Sequence, residues 1–292
     1  MSETPVERRL RVLSLGAGVQ STALALMAAR GEIPPIDVAV FADTASEPRA
    51  VYEHLARLMA PGVLPFRVEI VSAGSLLQEI LEACNGTRGA WGRPPLYITN
   101  PNGSAGMARR QCTGDYKLDP IHRKVRELAG VKPRSRGPKT VIVEQVIGIS
   151  LDEAHRQRDA RFRWIRNTYP LVDMGMNRGD CHKWLASHGW AAPRSACTFC
   201  PYRSDAGWLQ MKETDPESWE QAVTVDRALR SYHGVAGFHG QAFLHSTRQP
   251  LELVNFGARL AKPKKARQGR LYLPPDETER GFGDECEGMC GN

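Results

Sequence analysis

Val12-Leu-Ser-Leu-Gly-Ala-Gly-Val-Gln-Ser-Thr-Ala-Leu-Ala-Leu26 decides how the rest of the chain is read. An apolar run, a turn with glycines at 16 and 18, and a second apolar run follow one another. That is the pattern of a buried strand, a glycine loop and a helix. Gly16 and Gly18 let the backbone approach a ligand closely and take positive φ. Ser21 and Thr22 fall where the helix should begin, so their N–H groups and hydroxyls can face an anion. The stretch reads as a phosphate cradle, with a plain chain reversal as the competing reading. It lacks the Gly-Lys-Ser/Thr of the common P-loop and the third glycine of a dinucleotide fingerprint.

Outward from this loop the same alternation repeats. Leu10–Leu15 reads as a strand and Ser21–Arg30 as its helix, ending near Gly31. Asp37–Phe41 is a second strand that closes on the acidic turn Ala42-Asp43-Thr44-Ala45-Ser46-Glu47-Pro48. Phe66–Val71, Leu76–Cys84 and Val141–Ile147 continue as strand, helix and strand. Such a rhythm predicts an α/β fold, a parallel sheet doubly wound with helices on both faces. Ligands of these sheets bind at the carboxyl ends of the strands, so Gly16–Ser21 and Asp43–Glu47 should share one rim. Asn85–Gln111 is Gly- and Pro-rich and reads as a long loop. The expected organisation is an α/β domain over 1–170, a smaller helical, cysteine-bearing part over 171–258, and a basic segment with a cysteine-containing tail over 259–292.

Bulk composition narrows the function without naming it. At 292 residues and 41% hydrophobic content the chain can bury one large core and a smaller one. A formal net charge of +7 favours acidic ligands, nucleotides or nucleic acid, although a merely basic surface explains it equally. No stretch approaches the roughly 18 uninterrupted apolar residues of a membrane span, and the first residues lack a signal core. A cytoplasmic protein with no membrane partner is expected. Its seven cysteines are then metal ligands, buried fillers or reactive thiols rather than disulfides.

The order of these motifs resembles the phosphoadenylyl-sulfate (PAPS) reductase-like branch of the PP-loop, or adenine nucleotide alpha hydrolase, superfamily. The points of match are Ser14–Thr22, Phe41–Thr44, Cys112 with Lys117 and Pro120, Gly148–Arg156, Tyr169–Asp173, Cys197-Thr-Phe-Cys200-Pro201 and the terminal Glu285-Cys286. The matches run from about Val12 to the end of the chain. Against the Ser-Gly-Gly-x-Asp-Ser loop of the family, Gly16 replaces the first Ser, Ala17 the first Gly and Gln20 the Asp. The resemblance implies an adenine nucleotide, ATP or PAPS-like, on Ser14, Gly16, Ala17, Gly18, Gln20, Ser21 and Thr22. Asp43 and Thr44 would lie near the nucleoside, and Lys117 and Arg156 near a phosphate or sulfate. Cys286 or Cys290 would be the catalytic thiol, served by a sulfur or electron donor protein.

Cys197-Thr-Phe-Cys200 is a knuckle whose two sulfurs can reach one metal. With Cys112 and Cys181 it makes a four-thiolate set, the usual complement of a 4Fe–4S cluster, and equally good for zinc. Iron over zinc is what the resemblance implies. Cys112 and Cys181 as buried apolar fillers is the competing reading. Cys84 reads as core.

Two kinds of function follow. One is an enzyme doing sulfur chemistry, either reducing a sulfonucleotide or using ATP to replace a nucleobase oxygen of tRNA or DNA with sulfur. The other is a zinc-stabilised nucleotide- or nucleic-acid-binding module without turnover. Arg109-Arg110 and the basic run Ala261–Arg270 lean toward a nucleic-acid substrate.

Overall fold

The computed structural model describes residues 9–89, 92–230 and 240–261. Cys286, Cys290 and the basic run past residue 261 lie outside the described residues. In chain order the elements begin with β1 (Leu10–Ser14), α1 (Val19–Ala29), β2 (Val38–Asp43), α2 (Arg49–Leu58) and β3 (Arg67–Ser72). Next come α3 (Leu76–Cys84), β4 (Tyr97–Thr99) and β5 (Ala105–Met107). A π-helical turn, Gly114–Leu118, runs straight into α4 (Asp119–Leu128). Then follow β6 (Val143–Ile147), a 3-10 segment Leu151–Arg156, β7 (Ile165–Thr168), α5 (Pro170–Asp173) and α6 (Arg178–Ser187). The described chain ends with α7 (Asp205–Thr214), α8 (Pro216–Arg230), β8 (Gln241–Phe243) and α9 (Phe256–Leu260).

These elements form two compact units. The first takes the described residues up to 74 and those from 113 to 195. Its sheet has the strand order β3-β2-β1-β6-β7, and every neighbouring pair is parallel. Side chains alternate across such a sheet, and the alternation sorts the core into two clusters. Leu13, Ala39, Phe41 and Val146 face one way, toward α1, α2, α5 and α6. Val12, Val38, Val40, Val143 and Ile165 face the other, where Ile121 and Val125 of α4 cover them. Both faces are therefore dry, as a doubly wound parallel sheet requires. Helix α1 is buried on every side from Val19 to Ala28, so it is the central helix of its layer. Its alanines let α6 approach closely.

The second unit takes residues 75–112 and the described residues from 196 onward. It carries α3, α7, α8 and α9 around a small antiparallel sheet of order β5-β4-β8. Its core is aromatic, with Trp208 and Phe199 fully buried and Trp219 edge-on to both Trp208 and Phe256. The segment Asn85–Gln111, expected as a loop, contains the β4–β5 hairpin. Three-residue strands are too short to show alternation. The turn between them is closed by Asn100 N–H to Ser104 O, Gly103 N–H to Asn100 O and an Asn102 side chain that accepts from Ser104 N–H.

Candidate functional site

The strand order of the first unit reverses beside β1, since the chain moves to β2 and β3 and then returns to β6 on the other side. A crevice opens at such a switch point, between the segments that leave the carboxyl ends of the two strands. Here those segments are Leu15–Gly18, leading into α1, and Gly148–Ser150, leading into the 3-10 turn. The glycine loop of the sequence therefore stands at the ligand-binding position of its fold.

Each departure from the family loop has a visible place. Ala17 is fully buried and holds φ of +56°, a left-handed conformation that costs a residue with a Cβ about 1 kcal/mol. The position demands the conformation that glycine gives cheaply, and the chain adopts it with alanine. Gln20, also fully buried, donates from Nε2 to Glu153 Oε2 at 3.1 Å and to Ser150 Oγ at 3.4 Å. It thus ties the start of α1 to the segment after β6. Glu153 in turn pairs with Arg156.

The hydroxyls of the loop are occupied by structure. Ser21 Oγ accepts from Gly16 N–H at 3.2 Å, and Ser195 Oγ donates to Gly16 O. Thr22 Oγ1 is 2.9 Å from His54 Nε2, and burial, with Arg57 nearby, lowers that imidazole to about 4. The serine and threonine shape the loop rather than reach out of it. What remains for an anion is backbone. Helix α1 has no side-chain cap at Gly18, and its first intrahelical bond is Thr22 N–H to Gly18 O. The N–H groups of Val19, Gln20 and Ser21 are left without a helical acceptor, at the positive end of the helix dipole.

The second rim loop is acidic and equally strained. Ala45 sits at φ +51° with its N–H on Asp43 Oδ1 at 2.8 Å, and Tyr52 OH donates to the same oxygen at 2.8 Å. Burial and the Asp43 carboxylate push the Tyr52 phenol well up, so it stays a donor. Ser46 Oγ donates to Thr44 O, which holds Thr44 in the turn. Glu47 receives Lys117 Nζ at 3.1 Å, with 6% of the lysine side chain and 1% of the glutamate exposed. Lys117 comes from the π-helical turn before α4, an irregularity often found at functional sites.

The structure brings together Ser14, Gly16, Ala17, Gly18, Gln20, Ser21 and Thr22 by chain continuity, and joins Gln20 to Arg156 through Glu153. Ser14 itself accepts from Gln145 Nε2 at 2.8 Å. Sequence reasoning did not find the roles of Ser195, His54 and Glu153. Their partners lie 179, 32 and 133 positions away, and no local spacing announces them. Glu47 lay within the quoted acidic turn, but its lysine partner is 70 positions distant.

The cysteines are distributed over both units. Cys181, on α6, is fully buried in the apolar core of the first unit beside α1. Cys112, Cys197 and Cys200 belong to the second unit. There the knuckle is closed by Cys200 N–H to Cys197 O at 3.0 Å, and Cys112 N–H reaches Arg93 O at 3.2 Å. Burial, together with Tyr202, Cys200 and Asp205, raises the Tyr97 phenol, which places these groups in one neighbourhood. Cys84, expected as core, is partly buried, and burial pushes its thiol up to about 11. Among the described residues no group of three or more His, Cys, Asp or Glu side chains is placed to hold a metal ion. A thiolate-bound metal therefore rests on the spacing of the cysteines. No described helix is long and apolar enough to cross a membrane.

No protein-family model matches this chain, and no curated protein is significantly similar to it.

Proposed function

We propose that this chain is an adenine-nucleotide-binding enzyme of the PAPS reductase-like kind, with the nucleotide's phosphates received at the first turn of α1. The observation that carries the reading is the uncapped N-terminus of α1 at the strand-order reversal of an all-parallel sheet. Three first-turn N–H groups and the helix dipole there favour an oxyanion. Lys117 and Arg156 supply positive charge held ready by Glu47 and Glu153, so an arriving phosphate or sulfate shares a cation rather than recruiting one from water. Asp43 and Thr44, fixed by Tyr52 and Ser46, are the nucleoside side of the same rim.

The sulfur step is assigned to Cys286 or Cys290. Its thiolate attacks the sulfur of a sulfonucleotide, an S–S bond forms, and the S–O bond breaks with its electron pair left on the nucleotide phosphate. A second thiolate then displaces sulfite and leaves a disulfide, which a dithiol donor protein reduces. The test has two parts. ATP or the sulfonucleotide should bind at least tenfold tighter than adenosine, and Gln20→Glu, which sets a carboxylate against Glu153 and the phosphates, should remove that advantage. Sulfite release with a dithiol donor should disappear in the Cys286→Ser/Cys290→Ser variant. Equal affinity for adenosine and ATP refutes the site.

A second reading, ATP-dependent thiolation of a nucleobase, is favoured by exposed Arg109 beside Arg110, whose guanidinium lies 5.6 Å from the Tyr202 ring centre. It is distinguished by pyrophosphate release from ATP only when RNA or DNA is added.

A further inference from the structure

The positive charge of this protein is concentrated. Residues 123–139 hold seven basic side chains against one acidic, and residues 158–166 hold four against one. Their joint excess of nine exceeds the +7 of the whole chain, so everything else is slightly acidic in sum. The fold joins the two segments. Phe162 lies edge-on to His122 at 5.3 Å and stacks on Trp164 at 5.7 Å. The Arg126 guanidinium lies 5.2 Å from both the Phe162 and Trp164 ring centres. Gly137, at φ +69°, is so close to Trp164 that a Cβ would come within 2.4 Å of its ring. Arg126 also donates to Lys132 O and Ser135 O, which fixes the connector as a shaped turn.

On this aromatic base the basic side chains point to water. Arg123, Lys132, Arg134, Arg136, Lys139 and Arg163 are exposed and, among the described residues, form no ion pair. Arg134, at φ +60°, takes the third position of a turn that begins Lys132-Pro133 and is closed by Ser135 N–H to Lys132 O at 3.2 Å. A hollow of about 360 Å³ beside it is lined by Gly130, Lys132, Ser135, Arg136 and Pro138. Both segments lead into the amino ends of strands, β6 and β7, so the surface lies at the end of the sheet opposite the α1 turn. With five residues in β1, the two ends are about 17 Å apart.

We propose that this surface docks a duplex region of a nucleic acid through its phosphate backbone, independently of sequence. The arginine excess suits bidentate phosphate contacts. The aromatic rings are packed under the guanidinium groups rather than offered for base stacking, which favours a duplex over a single strand. Among the described residues no large exposed hydrophobic side chain lies in either segment, which disfavours an anionic membrane. The inference does not depend on nucleotide binding at the opposite rim.

The test is fluorescence anisotropy of the full chain with labelled duplex RNA, duplex DNA and single strands, over a range of salt. Duplex binding should weaken steeply with salt. Arg134→Glu/Arg136→Glu/Lys139→Glu should cost at least tenfold in affinity at about 0.1 M salt and flatten the log–log slope by about 2 to 3. A second triple, Arg134→Ala/Arg136→Ala/Lys139→Ala, should show the same direction, and both should keep the parent's thermal midpoint and ATP affinity. Arg30→Glu/Arg49→Glu/Lys183→Glu, reversing exposed charges elsewhere, should change duplex affinity less than threefold. An equal loss in that control, tighter binding to single strands, or tighter binding to vesicles containing phosphatidylserine would each overturn the proposal.

Discussion

The two ends of one parallel sheet are treated oppositely. At the carboxyl rim the charges are paired, Lys117 with Glu47 and Arg156 with Glu153, and mostly buried. At the amino end they are exposed and one-sided. One carboxylate there, Glu144, is shared by Arg9, Arg11 and Arg166, the last two in register with it on β1 and β7. Burial pushes the Glu144 carboxyl upward, but the three guanidinium groups outweigh it and hold it below its ordinary value. Preorganised neutral machinery with backbone donors suits a small anion gripped at one point. A spread of unneutralised charge suits a long polyanion. In an all-parallel sheet the loops that follow strands and the loops that precede them lie at opposite ends, which keeps the two kinds of surface apart.

The largest effect that can break this comparison is at Lys117. Lys117→Met leaves Glu47 buried without its cation and should cost about 3–5 kcal/mol in urea unfolding, most of it regained in Lys117→Met/Glu47→Leu. A cost below about 1 kcal/mol would mean that the rim pair behaves as a surface pair, and the contrast fails. Next is acid. His54 and His122 are lowered by burial to about 4, whereas the unfolded chain titrates near the ordinary 6.5. Between those values the unfolded state holds protons that the folded state refuses. Stability is therefore intact above about pH 6.5 and falls as the pH drops toward 4, by up to about 3 kcal/mol per histidine. His54→Gln should flatten the profile through the carboxyl-rim layer, and His122→Gln through the Phe162 column. A parent profile flat from pH 7 to 5 contradicts both placements.

Smaller effects sharpen the same contrast. Ala17→Gly should raise stability by about 1 kcal/mol and keep nucleotide affinity, because it relieves the left-handed strain without altering the N–H groups. Arg134→Gly should gain a similar amount but lose duplex affinity, since there the strained residue itself makes the contact. The smallest expected change is for Arg163→Ala, within about 0.5 kcal/mol in stability and measurable only in the salt dependence of duplex binding.

The parallel fold was legible because it is written in local runs. Val12–Leu15 and Val38–Phe41 are largely apolar on both faces and end in a glycine turn and an acidic turn, whereas Val141–Ile147 is apolar except for Glu144 and Gln145. The hairpin in Asn85–Gln111 was not legible, because Tyr97–Thr99 and Ala105–Met107 are too short to carry a period. At the site, the loop was readable and its supports were not. Gln20 stood out as a departure from the family pattern, yet nothing near it in sequence points to Glu153 or Ser150. Likewise, the basic residues of 123–139 stand close together in the chain, but their union with 158–166 depends on His122 and Arg126 meeting the rings of Phe162 and Trp164.

The sequence by itself determined the strand and helix runs of the parallel sheet, since glycine, alanine and β-branched runs act within a few positions. It also determined the amount of charge. Tertiary structure alone decided which charges are neutralised and which face solvent, because pairing depends on distance in space, and Lys117–Glu47 and Arg11–Glu144 stand 70 and 133 residues apart. It also decided that Ala17 must carry a glycine's conformation, since that angle is imposed by the strand and helix that the turn joins.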